Sequence, residues 1–216
     1  MKQDIRIPTS VGEMTLKQHQ EMLSKEDKLT NEHLVAIYCN KTLEEVLQMP
    51  SSVFNQAVQI LDKAVSTIST EQPLQMRFKL NGIEYGMIPN LDEISYGENK
   101  DLMQYLGDWK TMHLAMSVLY RPITQTLGST YSISKYNGTR EHREVMQHMP
   151  LDIVMSAQLF FYSLTEELLK AIPNYLERVA LNSNKGQMQD QSIKQTGEAM
   201  MRYSASLRET LEGLRR

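Results

Sequence analysis

Residues 74–87 of this chain read Leu-Gln-Met-Arg-Phe-Lys-Leu-Asn-Gly-Ile-Glu-Tyr-Gly-Met. Apolar and polar side chains alternate on both sides of the Asn81-Gly82 dipeptide, and a period of two is typical of a strand with one buried face. Asn-Gly supplies the two positive-φ residues of a type I′ turn, so the stretch predicts a β-hairpin. Because a hairpin is only marginally stable alone, we expect helices to cover its apolar face.

The sequence ahead of the hairpin has the 3.6-residue period of amphipathic helices. Thr15 is a candidate N-cap, and Thr42 followed three residues later by Glu45 has the spacing of a capping box. The apolar face of the Thr42 helix holds Leu43, Val46 and Leu47. Pro50 ends this helix, and a longer one follows with apolar residues at spacings of three, four and seven: Val53, Phe54, Ala57, Val58, Leu61, Ala64, Val65 and Ile68. We therefore expect residues 1–72 to form an N-terminal helical subdomain.

Beyond this subdomain, residues 73–182 are predicted to combine the hairpin with a helical core. Helices are predicted over residues 100–106, 109–120 and 140–147, and from Pro150 onward. Arg121-Pro122 is expected to end the second of these helices. Residues 130–136 alternate between apolar and polar side chains and predict a third strand beside the hairpin, and residues 4–8 show a shorter alternation of the same kind.

The last region, residues 183–216, is predicted to be a polar linker followed by a C-terminal interaction helix. Apolar residues seven apart form a heptad seam of about three repeats, which is typical of helix–helix contacts. The candidate partner-binding residues are Ile193, Met200, Tyr203, Leu207, Leu211 and Leu214. Partner binding or self-association is weighed evenly against docking of this helix on its own domain. The whole pattern predicts an α+β protein that is mainly α, with about three antiparallel strands and an extended C-terminal helix.

Composition excludes several classes of function. The chain has 216 residues, a net charge of −3 and a pI of about 6.0, whereas a general nucleic-acid binder needs a positive field. Cys39 is the only cysteine, so we expect no internal disulfide and no cysteine-based zinc cluster, and its apolar surroundings predict a buried, inert thiol. The most apolar segment, residues 153–169, contains glutamates, which argues against a membrane span. With no visible secretory signal, we expect a soluble intracellular protein, or one that leaves the cell only as part of an assembly.

Methionine is over-represented, with 15 residues against 4 Phe and 1 Trp. Methionine fills irregular gaps in a core and also suits adaptable interfaces, because its side chain is flexible and polarizable. Five methionines of the later predicted helices are expected to be core residues: Met112, Met116, Met146, Met149 and Met155. Three others fall in the linker and the C-terminal helix, where a partner could cover them: Met188, Met200 and Met201.

The titratable residues form no recognisable catalytic constellation. His142, Glu144 and His148 come nearest to a metal site, because Glu144 and His148 would share a face of a helix, but the H-E-x-x-H spacing is absent. Trp109 and His113 are four apart and are expected to stack or hydrogen-bond at the edge of the core. A solvated helix and a structural histidine are the favoured interpretations, so we predict no catalytic, cofactor-binding or metal-binding residue.

Three parts of the sequence stand out together. The first part is Ile7-Pro-Thr-Ser followed by Met14-Thr-Leu, and the second is Tyr38-Cys-Asn-Lys-Thr-Leu-Glu-Glu-Val-Leu-Gln-Met-Pro50. The third part begins with Phe78-Lys-Leu-Asn-Gly-Ile-Glu-Tyr-Gly-Met-Ile-Pro-Asn-Leu-Asp-Glu-Ile-Ser-Tyr-Gly97. It continues with Asp108-Trp-Lys-Thr-Met-His-Leu-Ala-Met-Ser-Val-Leu-Tyr-Arg-Pro122. Together, over about residues 5–165, they resemble small proteins of tailed bacteriophages. The first two resemble tail assembly chaperones, whose helical domain has a similar threonine-led helix, a Leu-x-x-hydrophobic-Pro turn and a long helix after it.

This resemblance implies a non-enzymatic protein that acts through protein–protein contacts in tail or virion assembly. Tail assembly chaperones bind the tape-measure protein and tail-tube subunits in the host cytoplasm before assembly. The alternative is a permanent structural component of the phage neck, tail or baseplate, which would contact neck or portal proteins and stay in the virion. A homo-oligomer is compatible with both. The second alternative is a metal-dependent enzyme or regulator that uses His142 and His148.

Overall fold

The structure, a computed structural model, describes residues 5–25, 28–67 and 72–164. Within these ranges the protein is mainly α-helical and carries one small antiparallel sheet, which confirms the predicted fold class. The described helices that precede the sheet are α1 (Leu16–Ser24), α2 (Asn31–Tyr38), α3 (Leu43–Leu47) and α4 (Ser51–Ser66). The predicted linker and C-terminal helix, residues 183–216, lie outside the described residues.

Local hydrogen bonds explain where α1 and α3 begin. The backbone N–H of Gln18 donates to the Thr15 hydroxyl, and the backbone N–H of Thr15 donates to the Gln18 side chain at 2.9 Å, so a capping box starts α1. Thr42 and Glu45 form the same box at the start of α3, which confirms the prediction. Each box satisfies N–H groups that a helix end otherwise leaves without a partner.

Every neighbouring pair of strands in the sheet is antiparallel, and the strands lie in the order β1 (Arg77–Leu80), β2 (Ile83–Met87), β3 (Tyr120–Leu127) and β4 (Thr130–Ile133). The predicted hairpin is confirmed: Leu80 pairs with Ile83 across the turn. The turn residues Asn81 and Gly82 have φ values of 51° and 80°, the positive angles that a type I′ turn requires.

The prediction of about three strands is wrong, because the sheet has four. The missed strand is β3, in the segment where Arg121-Pro122 was expected to end a helix. That helix, α6 (Met112–Leu119), ends earlier, and the chain enters the sheet at Tyr120. Proline fits this strand because it only needs to accept here: the Pro122 carbonyl accepts from the N–H of Ser134 at 2.9 Å.

The remaining described helices are α5 (Tyr96–Tyr105), α7 (Arg143–Met146) and α8, which covers residues 151–164. α5 begins earlier than the predicted residue 100 because Ser95 and Glu98 form a third capping box. α7 is shorter than the predicted helix over 140–147. α8 begins directly after Pro150, as predicted. None of the described helices is both long enough and apolar enough to span a membrane.

One cluster of buried side chains joins the N-terminal helices, the sheet and the later helices. It contains all five methionines predicted for the core: Met112, Met116, Met146, Met149 and Met155. Backbone hydrogen bonds of 3.0 Å run from Leu16 to the Met149 carbonyl and from Leu151 to the Met14 carbonyl. Residues 5–7 form no strand, so the predicted edge strand there is wrong. The boundary at residue 72 between two subdomains stays a prediction.

Different contacts close the two faces of the sheet. On one face, the ring of Phe78 stacks on Tyr85 at 5.5 Å and meets Tyr120 edge-on at 5.3 Å between ring centroids. Arg121, the next residue of β3, points the opposite way and donates to Glu98 Oε1 at 2.6 Å. Both charged side chains are buried, so this ion pair ties α5 to the sheet.

Candidate functional site

The six residues that the sequence assigns to partner binding lie outside the described part of the chain. They are Ile193, Met200, Tyr203, Leu207, Leu211 and Leu214. The interpretation of this segment as a contact helix therefore stays a prediction. The described residues offer three other candidate sites: an exposed apolar pair on α3, a histidine cluster around Trp109, and a polar cleft beside α1.

The exposed apolar pair consists of Leu43 and Leu47, one turn apart on α3. Of the three residues on the predicted apolar face of this helix, only Val46 is buried, with 3% of its surface exposed. Leu43 and Leu47 keep 41% and 69% of their surface accessible. α3 has only five residues and packs mainly against α2, so one buried residue fills its contact and the two leucines remain outside it. The sequence pattern finds these leucines but not their exposure.

Both ends of α3 are held by hydrogen bonds and charges. At its start, the Thr42–Glu45 capping box is reinforced by Lys41, whose Nζ lies 3.2 Å from Glu45 Oε1. At its end, the backbone N–H of Gln48 donates to the Glu44 carbonyl at 3.2 Å. The leucine pair is therefore presented on an ordered element, and binding through it would cost little further ordering.

His142, Glu144 and His148 do not come together as metal ligands. α7 ends before His148, so that residue no longer shares a helical face with Glu144. His142 Nε2 lies 4.0 Å from Glu141 and its ring is 6.3 Å from the Tyr85 ring, whereas His148 lines the polar cleft. Over residues 5–25, 28–67 and 72–164, no three His, Cys, Asp or Glu side chains are placed to hold a metal ion.

Trp109 makes its ring contact with His19 of α1 and not with His113. The centroids of the Trp109 and His19 rings are 4.4 Å apart in an edge-on arrangement. His113 reaches Trp109 indirectly, because Gln20 Nε2 donates to the Trp109 carbonyl at 2.6 Å and lies 3.0 Å from His113 Nδ1. The predicted direct pairing is thus replaced by a bridge from α1. Gln20 is 89 residues from Trp109, so local sequence pattern carries no signal for it.

Burial controls the titration of this cluster and of the single cysteine. Burial lowers the pKa of His19 to about 4, and His19 Nε2 has no hydrogen-bond partner in the described structure. The pKa of His113 is also lowered, by burial and then by nearby Arg143. Cys39 is buried as predicted; burial raises the pKa of its thiol, and the opposing charge of Lys41 is the weaker influence. The thiol therefore stays protonated at neutral pH.

The polar cleft lies between the segment ahead of α1, α1 itself, the end of α2 and His148, and its volume is about 400 Å³. Its titratable lining residues are Arg6, Glu13, Lys17, Glu21 and His148. Of these only His148 is singled out by the sequence pattern. The others meet it because backbone bonds join residues 15–17 to residues 147–150, a long-range pairing that the sequence does not announce.

Comparison of the chain with family models, with curated proteins and with solved structures finds no match.

Proposed function

We propose that this chain is a non-enzymatic protein of a tailed bacteriophage that acts through protein–protein contacts during assembly, most like a tail assembly chaperone. Its place of action is the host cytoplasm, where it binds tape-measure or tail-tube subunits before they assemble. One structural observation supports the proposal beyond the sequence resemblance. The exposed pair Leu43 and Leu47 lies inside residues 38–50, the segment on which the resemblance to chaperones depends.

The leucine pair supports a binding role because a large part of its apolar surface, most of all on Leu47, is not buried within the described fold. Burying a leucine side chain fully is worth about 1.5–3 kcal/mol, and Leu47 leaves most of that gain unrealised. A single exposed leucine is ordinary on a protein surface. Leu43 and Leu47, however, have the i, i+4 spacing by which a helix inserts two anchors into a groove of a partner.

The residues around the pair indicate the kind of groove that would fit. Glu44 and Gln48 are exposed beside the two leucines, and basic residues are absent from α3 itself. A complementary partner surface would be an apolar groove with a basic or polar rim.

The heptad residues of the C-terminal segment form a second proposed contact, through Met200, Leu207, Leu211 and Leu214. Leu207→Asp is expected to abolish partner binding or self-association, and unchanged pull-down and size-exclusion behaviour would reject that second contact.

The experiment is co-expression of the full chain with the tape-measure protein and the tail-tube protein of the same phage. We expect the chain to co-purify with at least one of them in a complex that survives size-exclusion chromatography. A phage-encoded lysis enzyme of similar size, co-expressed in the same way, controls for non-specific capture. Elution of the chain alone, with both tail proteins absent from its fractions, would reject the chaperone role.

The alternative, a permanent component of the neck, tail or baseplate, predicts a different location. Mass spectrometry of purified virions separates the two roles. A chaperone is lost from mature particles, whereas a structural component is retained in many copies. Retention in many copies would replace the chaperone role by the structural one, and partners would then be sought among neck and portal proteins.

A further inference from the structure

The polar cleft beside α1 has the size of a small-ligand site. Its volume of about 400 Å³ falls within the range usual for pockets that bind small molecules. Eight of the eleven residues that line it have polar or charged side chains, although polar and apolar atoms contribute about equally to the lining surface. The charges that the described residues leave unpaired around the cleft indicate which ligand fits it.

Three basic side chains line the cleft without forming an ion pair among the described residues. They are Arg6, Lys17 and His148. The two acidic residues of the lining are both engaged: Glu13 accepts from the Thr9 hydroxyl at 2.9 Å, and Glu21 lies 3.3 Å from Lys25 Nζ. Arg6 and Lys17 equal Glu13 and Glu21 in number, but Glu21 is already paired with Lys25 at the end of the same helix, so among the described residues Glu13 is the one lining carboxylate without a basic partner, against two such basic side chains.

The inner wall of the cleft also favours an anion. α2 ends here, and the carbonyl groups at a helix C-terminus would ordinarily repel negative charge. Gln18 covers them, because its Nε2 donates to the carbonyls of Ile37 and Tyr38 at 3.0 and 3.3 Å. The same Nε2 lies 3.3 Å from Asn40 Oδ1, so the side-chain NH₂ of Asn40 remains available as a further donor at the wall.

We propose that this cleft binds a small molecule that carries a compact, multiply charged oxyanion group, such as the phosphate of a phosphate ester. Lys17 and Arg6 supply charge-assisted hydrogen bonds, and His148 and Asn40 supply further N–H donors. The site is separate from the leucine pair on α3 and does not depend on the phage role. It gives the chain a ligand in addition to its protein partners.

The test is isothermal titration of the purified full chain with pyrophosphate and, separately, with citrate, at low ionic strength where screening is weak. We expect saturable binding of at least one anion at a stoichiometry of one. Tighter binding of pyrophosphate assigns the site to phosphate-bearing ligands, and tighter binding of citrate assigns it to polycarboxylates. Both results support the proposal.

A matched pair of variants shows whether the binding occurs in the cleft. Lys17→Gln is expected to weaken binding about tenfold, the effect of losing one charge-assisted hydrogen bond. Lys79→Gln removes the same charge from an exposed position on β1, outside the cleft, and is expected to leave binding unchanged. Thermal unfolding of each variant confirms that it folds. Absence of saturable binding, or equal weakening by both variants, would overturn the proposal. So would stronger binding of an acidic hexapeptide than of either small anion.

Discussion

The side chains that pack on the two faces of the sheet and the leucines of helix α3 differ in burial. Around the sheet, aromatic rings pack on one another and the charged residues Glu98 and Arg121 are buried as a pair. On α3, whose start is fixed by a capping box, Leu43 and Leu47 remain exposed. Groups that are buried and paired stabilise the fold, whereas apolar groups left outside are free to bind. The difference separates the part of the chain that maintains the structure from the part that we propose meets a partner.

The largest stability effect is expected at the buried ion pair. Glu98→Gln keeps an oxygen that can complete the capping box with Ser95, but it removes the charge opposite Arg121. Leaving one buried charge without its partner typically costs about 3–5 kcal/mol. The free energy of unfolding, measured by urea denaturation, is therefore expected to fall by about that amount.

Two further variants sharpen this prediction. Adding Arg121→Met to Glu98→Gln removes the orphaned charge and is expected to restore most of the lost stability. Glu84→Gln breaks a more exposed pair with Arg77, at 3.4 Å, and is expected to cost less than about 1 kcal/mol. Equal costs for Glu84→Gln and Glu98→Gln would mean that burial of the pair is not what stabilises the sheet.

The junction of His19 with Trp109 is a second closed region, and it predicts a dependence on pH. The pKa of buried His19 is about 4, below its usual value of 6.5. As pH falls from 6.5 towards 4, the unfolded chain takes up a proton that the folded chain does not, so stability is lost over this window, by about 3 kcal/mol in full. The lowered pKa of His113 acts in the same direction.

Urea unfolding between pH 7 and pH 4 measures this slope. His19→Leu is expected to flatten this slope, and the remainder is due to His113 and, near pH 4, to carboxylates with a lowered pKa such as Glu98. A slope that is unchanged in His19→Leu would show that the Trp109 junction does not hold a neutral histidine.

A smaller effect is expected at Gly86, because the ring of Tyr131 lies directly over this glycine on one face of the sheet. A Cβ added at Gly86 would overlap the ring of Tyr131, whose hydroxyl donates to the Met87 carbonyl at 2.8 Å. Gly86→Ala is therefore expected to destabilise the chain by about 2 kcal/mol through displacement of this ring. Gly97→Ala, within α5, is the control. The added Cβ would lie 3.7 Å from the Tyr136 ring, an ordinary contact, and the substitution is expected to stabilise the chain by about 0.5 kcal/mol. Destabilisation of the same size at both positions would contradict the close packing of Tyr131.

Local patterns in the sequence predict much of this fold. The Asn81-Gly82 hairpin, the Thr42–Glu45 capping box and the helix after Pro150 all depend on residues within a few positions of one another. Strand β3 is missed because Pro122 is a strong helix-ending signal, and only its pairing with β2 and β4 shows that the chain stays extended. Tertiary pairing overrides the local preference at this point.

The candidate sites are less predictable because they depend on contacts that are distant in sequence. The apolar spacing on α3 identifies Leu43 and Leu47, but which residue of a five-residue helix is covered depends on how α2 lies against it. The cleft is harder still, since Lys17 and His148 meet only through the backbone bonds between residues 15–17 and 147–150. The spacing of charged residues along the chain does not predict that Lys17 and His148 line the same cleft.

The central claim is that the leucine pair on α3 serves binding more than stability. The most direct measurement is the double variant Leu43→Ser/Leu47→Ser, assayed both for urea unfolding and for affinity to the tail protein that co-purifies with the chain. We predict a loss of unfolding free energy of about 1–2 kcal/mol, because Leu43 keeps only 41% of its surface exposed, together with binding weakened at least about tenfold. Leu127→Ser, at an 83% exposed leucine on β3, is the matched control and should leave both unchanged. Unaltered affinity of the double variant in a stably folded chain would contradict the claim.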